Sequence, residues 1–301
     1  MKVLCFGSLN IDYVYSVDHF VRKGETLSST SLQIFTGGKG LNQSIALAKA
    51  GTEVYHAGAI GPDGKFLLEA MSQAGVNTNY ITVLMNDRTG NAIIQRDESG
   101  DNCILLYGGT NQNITAEQVD NVLSNFSAGD YLLLQNEINL LPYIMKKAHE
   151  QGMIITLNPS PMNEKILELP LDYVNIFMLN EVEAQQLLSC RSDVTPTHLA
   201  ERLLKKFPEA TIVLTLGSEG SICIDRKSKF TQSAFTIDVA DTTAAGDTFT
   251  GFFISSLLNG KNKRTAIKEA SAAAAIACSR VGAAPSIPSK EEVKRFLSDK
   301  I

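Results

Sequence analysis

The 301-residue chain has no run of basic residues, and its formal charges sum to -5. A nucleic-acid backbone is bound by Lys and Arg that replace its counterions, so nucleic acid is not an expected partner. A long hydrophobic run is missing as well. The longest uncharged apolar stretch, Thr248 to Gly260, carries Ser, Thr and Asn, and it falls short of the roughly 18 residues that span a bilayer. One Lys and four apolar residues precede Gly7, too few for a signal segment and better read as a first strand. Cysteine is sparse: Cys5, Cys103, Cys190, Cys223 and Cys278 are odd in number and never spaced as CxxC. That argues against a disulfide framework or a zinc site and fits reduced, buried thiols in a cytoplasmic protein. Low-complexity linkers and repeats of fixed period are lacking, so residues 1–301 are read as a single unit. Apolar residues at 44% can fill a core, and charged residues at 20% argue against disorder.

Against these absences stands a regular alternation. Short apolar runs recur at Val3–Phe6, Tyr131–Leu134, Met153–Leu157, Val174–Leu179 and Thr211–Leu216. Unbroken runs suit strands buried on both faces. Helical spacing fills the intervals, with cap patterns at Thr115-x-x-Gln118, Asn180-x-x-Glu183 and Ser289-x-x-Glu292. The expected class is α/β: a mainly parallel sheet covered by helices on both sides. Two stretches read differently. Ile11–Phe35 and Asn91–Tyr107 are polar, rich in Thr, Ser, Tyr, Ile and Val, and broken by turns such as Glu98-Ser99-Gly100-Asp101-Asn102. They are expected to be antiparallel strands that leave the main sheet as a flap, or else edge strands of it; pattern alone does not separate the two.

Ligands of open α/β sheets bind beyond the carboxyl ends of the strands, and polar residues collect there. Gly7-Ser8-Leu9-Asn10-Ile11-Asp12 follows the first apolar run, Gln135-Asn136-Glu137 follows Leu134, Asn180 follows Leu179, and Gly217-Ser218-Glu219-Gly220 follows Leu216. The most informative segment is Asp241-Thr242-Thr243-Ala244-Ala245-Gly246-Asp247-Thr248-Phe249. Small residues lead there into an amphipathic helix, whose free N–H groups and positive dipole end can hold a phosphate. Asp247 falls in the first turn, where an ionised carboxylate can take a proton from an attacking hydroxyl. An acid at this position also serves simply to offset the helix dipole, and spacing does not choose between these roles. A second Gly-rich turn, Gly37-Gly38-Lys39-Gly40-Leu41-Asn42-Gln43, opens a helix to about Ala50. It is not a P-loop, and no dinucleotide fingerprint follows any strand. Asn10, Asp12, Lys39, Asn42 and Glu137 are of the types that engage adjacent sugar hydroxyls. The four dispersed histidines carry no metal-protease pattern.

Taken together, Gly-Gly-Lys-Gly-x-Asn and Asp-Thr-x-Ala-Ala-Gly-Asp-Thr-Phe, in this order and roughly 200 residues apart, resemble the two signatures of the ribokinase-like (PfkB) sugar kinase family, along nearly the whole chain. Gly7–Asp12, Gly37–Gly40 and Asn158-Pro159-Ser160-Pro161 are most similar to its ribokinase branch. The resemblance implies a three-layer α/β/α fold with a small antiparallel β lid from about residues 11–36 and 91–108. It implies ATP-dependent transfer to a sugar, D-ribose at O5 in that branch, with Asp247 as general base. The backbone N–H groups of Ala244, Ala245 and Gly246 would form an anion hole. Asn10, Asp12, Gly38, Lys39, Gly40, Asn42 and Glu137 would contact the sugar. Asn180, Gly246, Ser271 and the run Thr215, Leu216, Gly217, Ser218, Glu219, Gly220 would contact the nucleotide. Glu183 would position Mg²⁺ through water. K⁺ would bind Asp241, Thr243, Ala277, Arg280, Gly282 and Ser286. Ser271 stands where ribokinases can carry a His against the adenine. Lid pairing would make a homodimer. The same resemblance leaves another sugar, or a nucleoside, open as substrate. A catalytically silent sugar-binding relative would be expected to lose the acid or the Ala-Ala-Gly turn, and both are present.

Overall fold

The structure, a computed structural model, describes residues 1–190 and 194–300. Strand and helix alternate from the start: β1 (Val3–Phe6), β2 (Asn10–Ser16), β3 (Ser31–Gly37), α1 (Lys39–Lys49), β4 (Val54–Ile60), α2 (Lys65–Gln73), β5 (Asn77–Val83), β6 (Gly90–Arg96) and β7 (Asn102–Tyr107). The middle of the chain supplies α3 (Ala116–Leu123), β8 (Tyr131–Gln135), α4 (Leu141–Glu150), β9 (Ile154–Asn158), β10 (Ile176–Asn180) and α5 (Glu181–Leu187). It ends with α6 (Pro196–Lys206), β11 (Thr211–Thr215), β12 (Ser221–Ile224), β13 (Lys229–Gln232), α7 (Ala245–Leu258), α8 (Lys263–Cys278) and α9 (Lys290–Asp299).

The apolar runs form the centre of a nine-stranded sheet ordered β13-β12-β11-β10-β9-β8-β1-β4-β5. Pairing is parallel from β11 to β5, and β12 and β13 return antiparallel. Successive side chains point to opposite faces. Leu4 and Phe6 join a core under α3 to α6, while Val3 and Cys5 join one under α1, α2 and α7 to α9. The result is a three-layer α/β/α sandwich. From β1 the chain moves outward to β4 and β5, then returns with β8 on the other side of β1. A crevice opens at such a switch point, here lined by the segments after β1 and β8.

The two polar stretches form a separate four-stranded sheet, β3-β2-β6-β7, and not edge strands of the main one. The β2–β3 and β6–β7 pairs are antiparallel, but β2 and β6 run parallel from Asn10↔Gly90 to Ser16↔Arg96. This corrects the purely antiparallel expectation. Both strands climb outward from the core, and only their hairpin mates return. The second sheet is thinly covered: Leu105 on β7 is 67% exposed, whereas Leu4 on β1 is 0% exposed. Cysteine burial also differs from expectation. Cys5 and Cys223 are buried, but Cys103 is exposed on β7, and Cys190 and Cys278 are partly exposed. Of the cap patterns, Asn180/Glu183 and Ser289/Glu292 close reciprocally. Thr115 accepts from Gln118 N, but the Gln118 side chain donates instead to the Gly58 carbonyl, 2.8 Å away. No helix among the described residues is long and apolar enough to cross a membrane.

Candidate active site

Two helix starts meet at the switch point. The α1 start is wedged against β1's exit: a Cβ on Gly40 would lie 2.5 Å from Ser8 N, and Gly38 sits at φ 95°. Only glycine tolerates both demands. The Gly40 N–H donates to Ser8 Oγ (3.2 Å), the Lys39 N–H to Glu137 Oε2 (3.0 Å), and Ser8 Oγ to that same Glu137 oxygen. Glu137 thereby caps α1 with one oxygen. One turn further along, α1 and α7 are in direct contact; a Cβ on Gly251 would lie 2.5 Å from Ala46 Cβ. That approach lets residues one turn earlier touch. Asn42 Nδ2 donates to Asp247 Oδ2 (3.2 Å), and Gln43 Nε2 donates to Asp247 Oδ1 (2.9 Å).

The α7 start is open. Ala244 caps it in the left-handed region, φ 58°, a conformation costly for a residue with a Cβ and concentrated at functional sites. The N–H groups of Gly246 and Asp247 find no backbone acceptor among the described residues, and a Cβ on Gly246 would meet nothing within 4 Å. They border a cavity of about 220 Å³ whose wall includes Lys39, Asn158, Asn180, Glu183 and Asp247. A larger cleft of about 740 Å³ shares Asn180, Thr215, Ala245 and Gly246 with it and continues along Gly217, Ser218, Gly220, Phe235, Phe249 and Ser271. Polar at the helix tip and apolar beyond, this pair of spaces has the profile that a phosphate chain and an attached flat base require.

Five ionisable groups act on one another here: Asp12, Lys39, Glu137, Glu183 and Asp247. Burial pushes the Asp12 carboxyl up to about 7, and the Glu137 charge adds to it. Burial likewise raises Glu137, against the pull of Lys39. Burial would strip Lys39 of its proton, but Asp247, Glu137 and Glu183 outweigh it and hold its pKa above the ordinary lysine range. A lysine kept cationic beside a helix tip is suited to a polyphosphate.

This geometry can be set beside known proteins. The profile of the pfkB family carbohydrate kinases matches residues 1–290. The chain belongs to the pfkB family of carbohydrate kinases. Over 302 residues this kinase chain is 36% identical to the ribokinase of Haemophilus influenzae, covering 97% of itself and 96% of that protein. It is 34% identical to the Staphylococcus aureus ribokinase, covering 98% and 99%. Its fold matches that of Cryptococcus neoformans ribokinase in complex with ADP at TM-score 0.87 and 33% identity, covering 98% and 99% of the two chains. It matches Arabidopsis thaliana ribokinase complexed with ribose and ATP at TM-score 0.87 and 28% identity, covering 98% of each.

Not every residue expected at the site of this kinase lines these two cavities: of the sugar set Lys39 and Asp247 do, and Asn10, Asp12, Asn42 and Glu137 do not. Leu216 and Glu219 do not line the larger cleft: Leu216 closes the turn to β12 and packs on the core, and Glu219 is exposed. Ser271 lines it and shares a hydrogen bond with Ser221 (3.2 Å). Asn180 and Glu183 spend part of their hydrogen-bonding capacity on the α5 cap. Asn10 Oδ1 accepts from Asn111 (2.8 Å), which leaves the Asn10 amide as a donor. The Asp241 segment is tied to the end of α8. Its Oδ1 accepts from the Thr243 N–H (2.9 Å) and hydroxyl (2.6 Å), its Oδ2 from Gly282 N (2.9 Å), and Ala240 N bonds Cys278 O (2.8 Å). Ala277 O accepts from Arg280 N (3.0 Å), and the buried Ser286 donates to Ala283 O (2.8 Å). The sequence segments quoted above include Gln43, Gln135 and Asn158 without a role for any of them, and Asn111 is absent from them. Their signal was available: each is a polar residue at the end of an apolar run or of a Gly-rich turn.

Proposed function

We propose that this chain is an ATP-dependent ribokinase that phosphorylates D-ribose at O5. The observation that carries the reading is Asp247, held by two amides in the first turn of α7 and facing a cavity bordered by free N–H groups. In this reading O5 attacks the γ-phosphorus of ATP in line. Asp247 takes the hydroxyl proton as the new P–O bond forms and the bond to the β–γ bridging oxygen breaks, releasing ADP. The N–H groups of Ala244, Gly246 and Asp247 face the charge that develops on the transferring group, the Ala245 N–H being held by the Thr242 carbonyl (3.2 Å), and Lys39 faces it from α1. Asn10, Asp12, Asn42 and Glu137 hold the sugar; Gly38 and Gly40 serve it indirectly, by letting α1 start against β1. Asn180, Thr215, Gly217, Ser218, Gly220 and Ser271 line the nucleotide's cleft. The separate sheet covers the sugar and limits water as a competing acceptor. Its exposed apolar face suits pairing with a second copy.

Glu183 fits a Mg²⁺ held mainly by phosphate oxygens, because its carboxylate is buried on the cavity wall beside Lys39. Bound there, the metal would neutralise charge on the phosphates. Asp241, Ser286 and the carbonyls of Thr243, Ala277, Arg280 and Gly282 are all hard oxygen donors suited to K⁺. Bound there, the ion would stiffen the loop that leads into α7. A cytoplasmic location follows from the sugar and nucleotide it uses. The test is ADP release from ATP–Mg²⁺ with a panel of pentoses, hexoses and nucleosides, with and without K⁺. Ribose should exceed every other acceptor in kcat/KM. A nucleoside or hexose in that position would replace ribose as substrate, and no turnover with any acceptor would overturn the reading.

A further inference from the structure

Beneath Asp247 lies a chain of buried amides that the reaction does not consume. Gln43 and Gln135 are both 0% exposed. The Gln43 amide nitrogen has both hydrogens engaged, one on Asp247 Oδ1 (2.9 Å) and one on Asn158 Oδ1 (3.3 Å). Its carbonyl accepts from Gln135 Nε2 (2.7 Å). Asn158 is in turn fixed by its own donation to Met178 O (2.8 Å). Reversing the Gln43 amide would set its carbonyl against two acceptor oxygens and its NH₂ against another NH₂. A reversal would therefore leave buried donors and acceptors unmatched, and that penalty locks the orientation.

Gln135 bears the cost of this arrangement. Its nitrogen serves Gln43 and approaches Cys5 Sγ (3.6 Å), while its carbonyl Oε1 is buried without a donor. Room for that carbonyl exists because residue 7 is glycine; a Cβ there would overlap it. An unmatched buried carbonyl is unexpected unless turning it would undo something else, and turning Gln135 would release Gln43. The charged surroundings of Asp247 are few. Lys39 reaches it from α1, Glu137 from the segment after β8, Glu183 of α5 from the wall of the shared cavity, and the thiol of Cys5 from β1, which burial holds neutral at about 11. The amides are thus what fixes the carboxylate plane.

We propose that Gln43 is a positioning residue for Asp247, oriented by Gln135, which keeps an N–H and never a carbonyl against the proton-accepting carboxylate. The inference rests on the reading of Asp247 as the base. Gln43→Met keeps length and removes the donor. Gln135→Met keeps Gln43 but removes the donor to its carbonyl, so the Gln43 amide is free to turn its carbonyl toward Asp247. Each variant would be assayed for kcat, sugar KM, the kcat–pH profile and melting temperature, with Asp247→Asn alongside. Gln43→Met should lower kcat about ten- to hundredfold while sugar KM stays within about twofold. Gln135→Met should show the same split although Gln43 is intact. Gln43→Glu should move the acidic limb of the kcat–pH profile upward by about one unit, since a second carboxylate disfavours the ionised base. If these variants melt lower yet keep wild-type kcat and pH profile while Asp247→Asn is inactive, Gln43 is only structural and this inference falls alone. If Asp247→Asn turns over normally, the base assignment falls and this inference with it.

Discussion

The two helix starts at the switch point look alike in sequence and differ in physics. Both put small residues at a helix start, Gly37, Gly38 and Gly40 at α1 and Ala244, Ala245 and Gly246 at α7. At α1 the glycines admit other parts of the protein: a side chain on Gly40 would strike the backbone of Gly7 and Ser8, and one on Gly37 would strike the Asp12 carboxylate. At α7 a side chain on Gly246 would meet empty space. A Gly-rich turn thus has two distinct uses, close packing and open access for a ligand, and only the surroundings tell which is present.

The largest expected break in this comparison is at the α7 start. Asp247→Asn should retain sugar binding and cut turnover by about two to four powers of ten; steady-state kinetics and sugar titration would measure both. On the α1 side, Asp12→Ala should raise sugar KM about ten- to hundredfold, because a charge-assisted bond to hydroxyls is lost, and leave ATP affinity nearly unchanged. A matched pair of methyl insertions separates the two starts directly. Gly40→Ala should destabilise the fold by about 1–3 kcal/mol in denaturant titration. Gly246→Ala should leave stability within about 0.5 kcal/mol and lower kcat about tenfold. Equal effects of the two would erase the distinction. Smaller still is the response to cation: replacing K⁺ by a bulky organic cation should lower activity severalfold, and Asp241→Ala should remove that sensitivity.

The raised Asp12 pKa sharpens the α1 side through pH. Unfolded, Asp12 loses its proton near the ordinary 3.8; folded, it keeps it to about 7. The folded state then binds more protons across that interval, so this residue's contribution to stability falls as pH rises from 3.8 to about 7 and is level beyond. Sugar hydroxyls donate to the ionised form. Sugar KM should therefore improve as pH rises toward about 7, and Asp12→Asn should flatten the curve.

Much of the architecture was legible in local pattern. Val3–Phe6 and Thr211–Leu216 announced buried strands because a strand covered on both faces has no polar side to alternate. Ser289 and Glu292 announced a helix start because the cap closes within one turn. Where a side chain found a better partner at long range, local reading failed: Gln118 left its cap for Gly58. The parallel pairing of β2 with β6 escaped too, since it depends on where each strand leaves the core. Gln43 and Gln135 escaped because a polar residue beside Asn42, or at the tip of β8, looks ordinary until α1 and α7 cross.

By itself the sequence determined that residue 247 is an acid in the first turn of a helix, since dipole and free N–H groups depend only on neighbours within that turn. It also determined the alternation that builds a parallel sheet. Only the tertiary structure decided which amides face that acid, because the contact of Asn42 with Asp247 spans 205 residues of chain and requires the Gly251–Ala46 approach. It alone decided that one glycine turn is filled and the other empty, because emptiness is a property of everything packed around a residue.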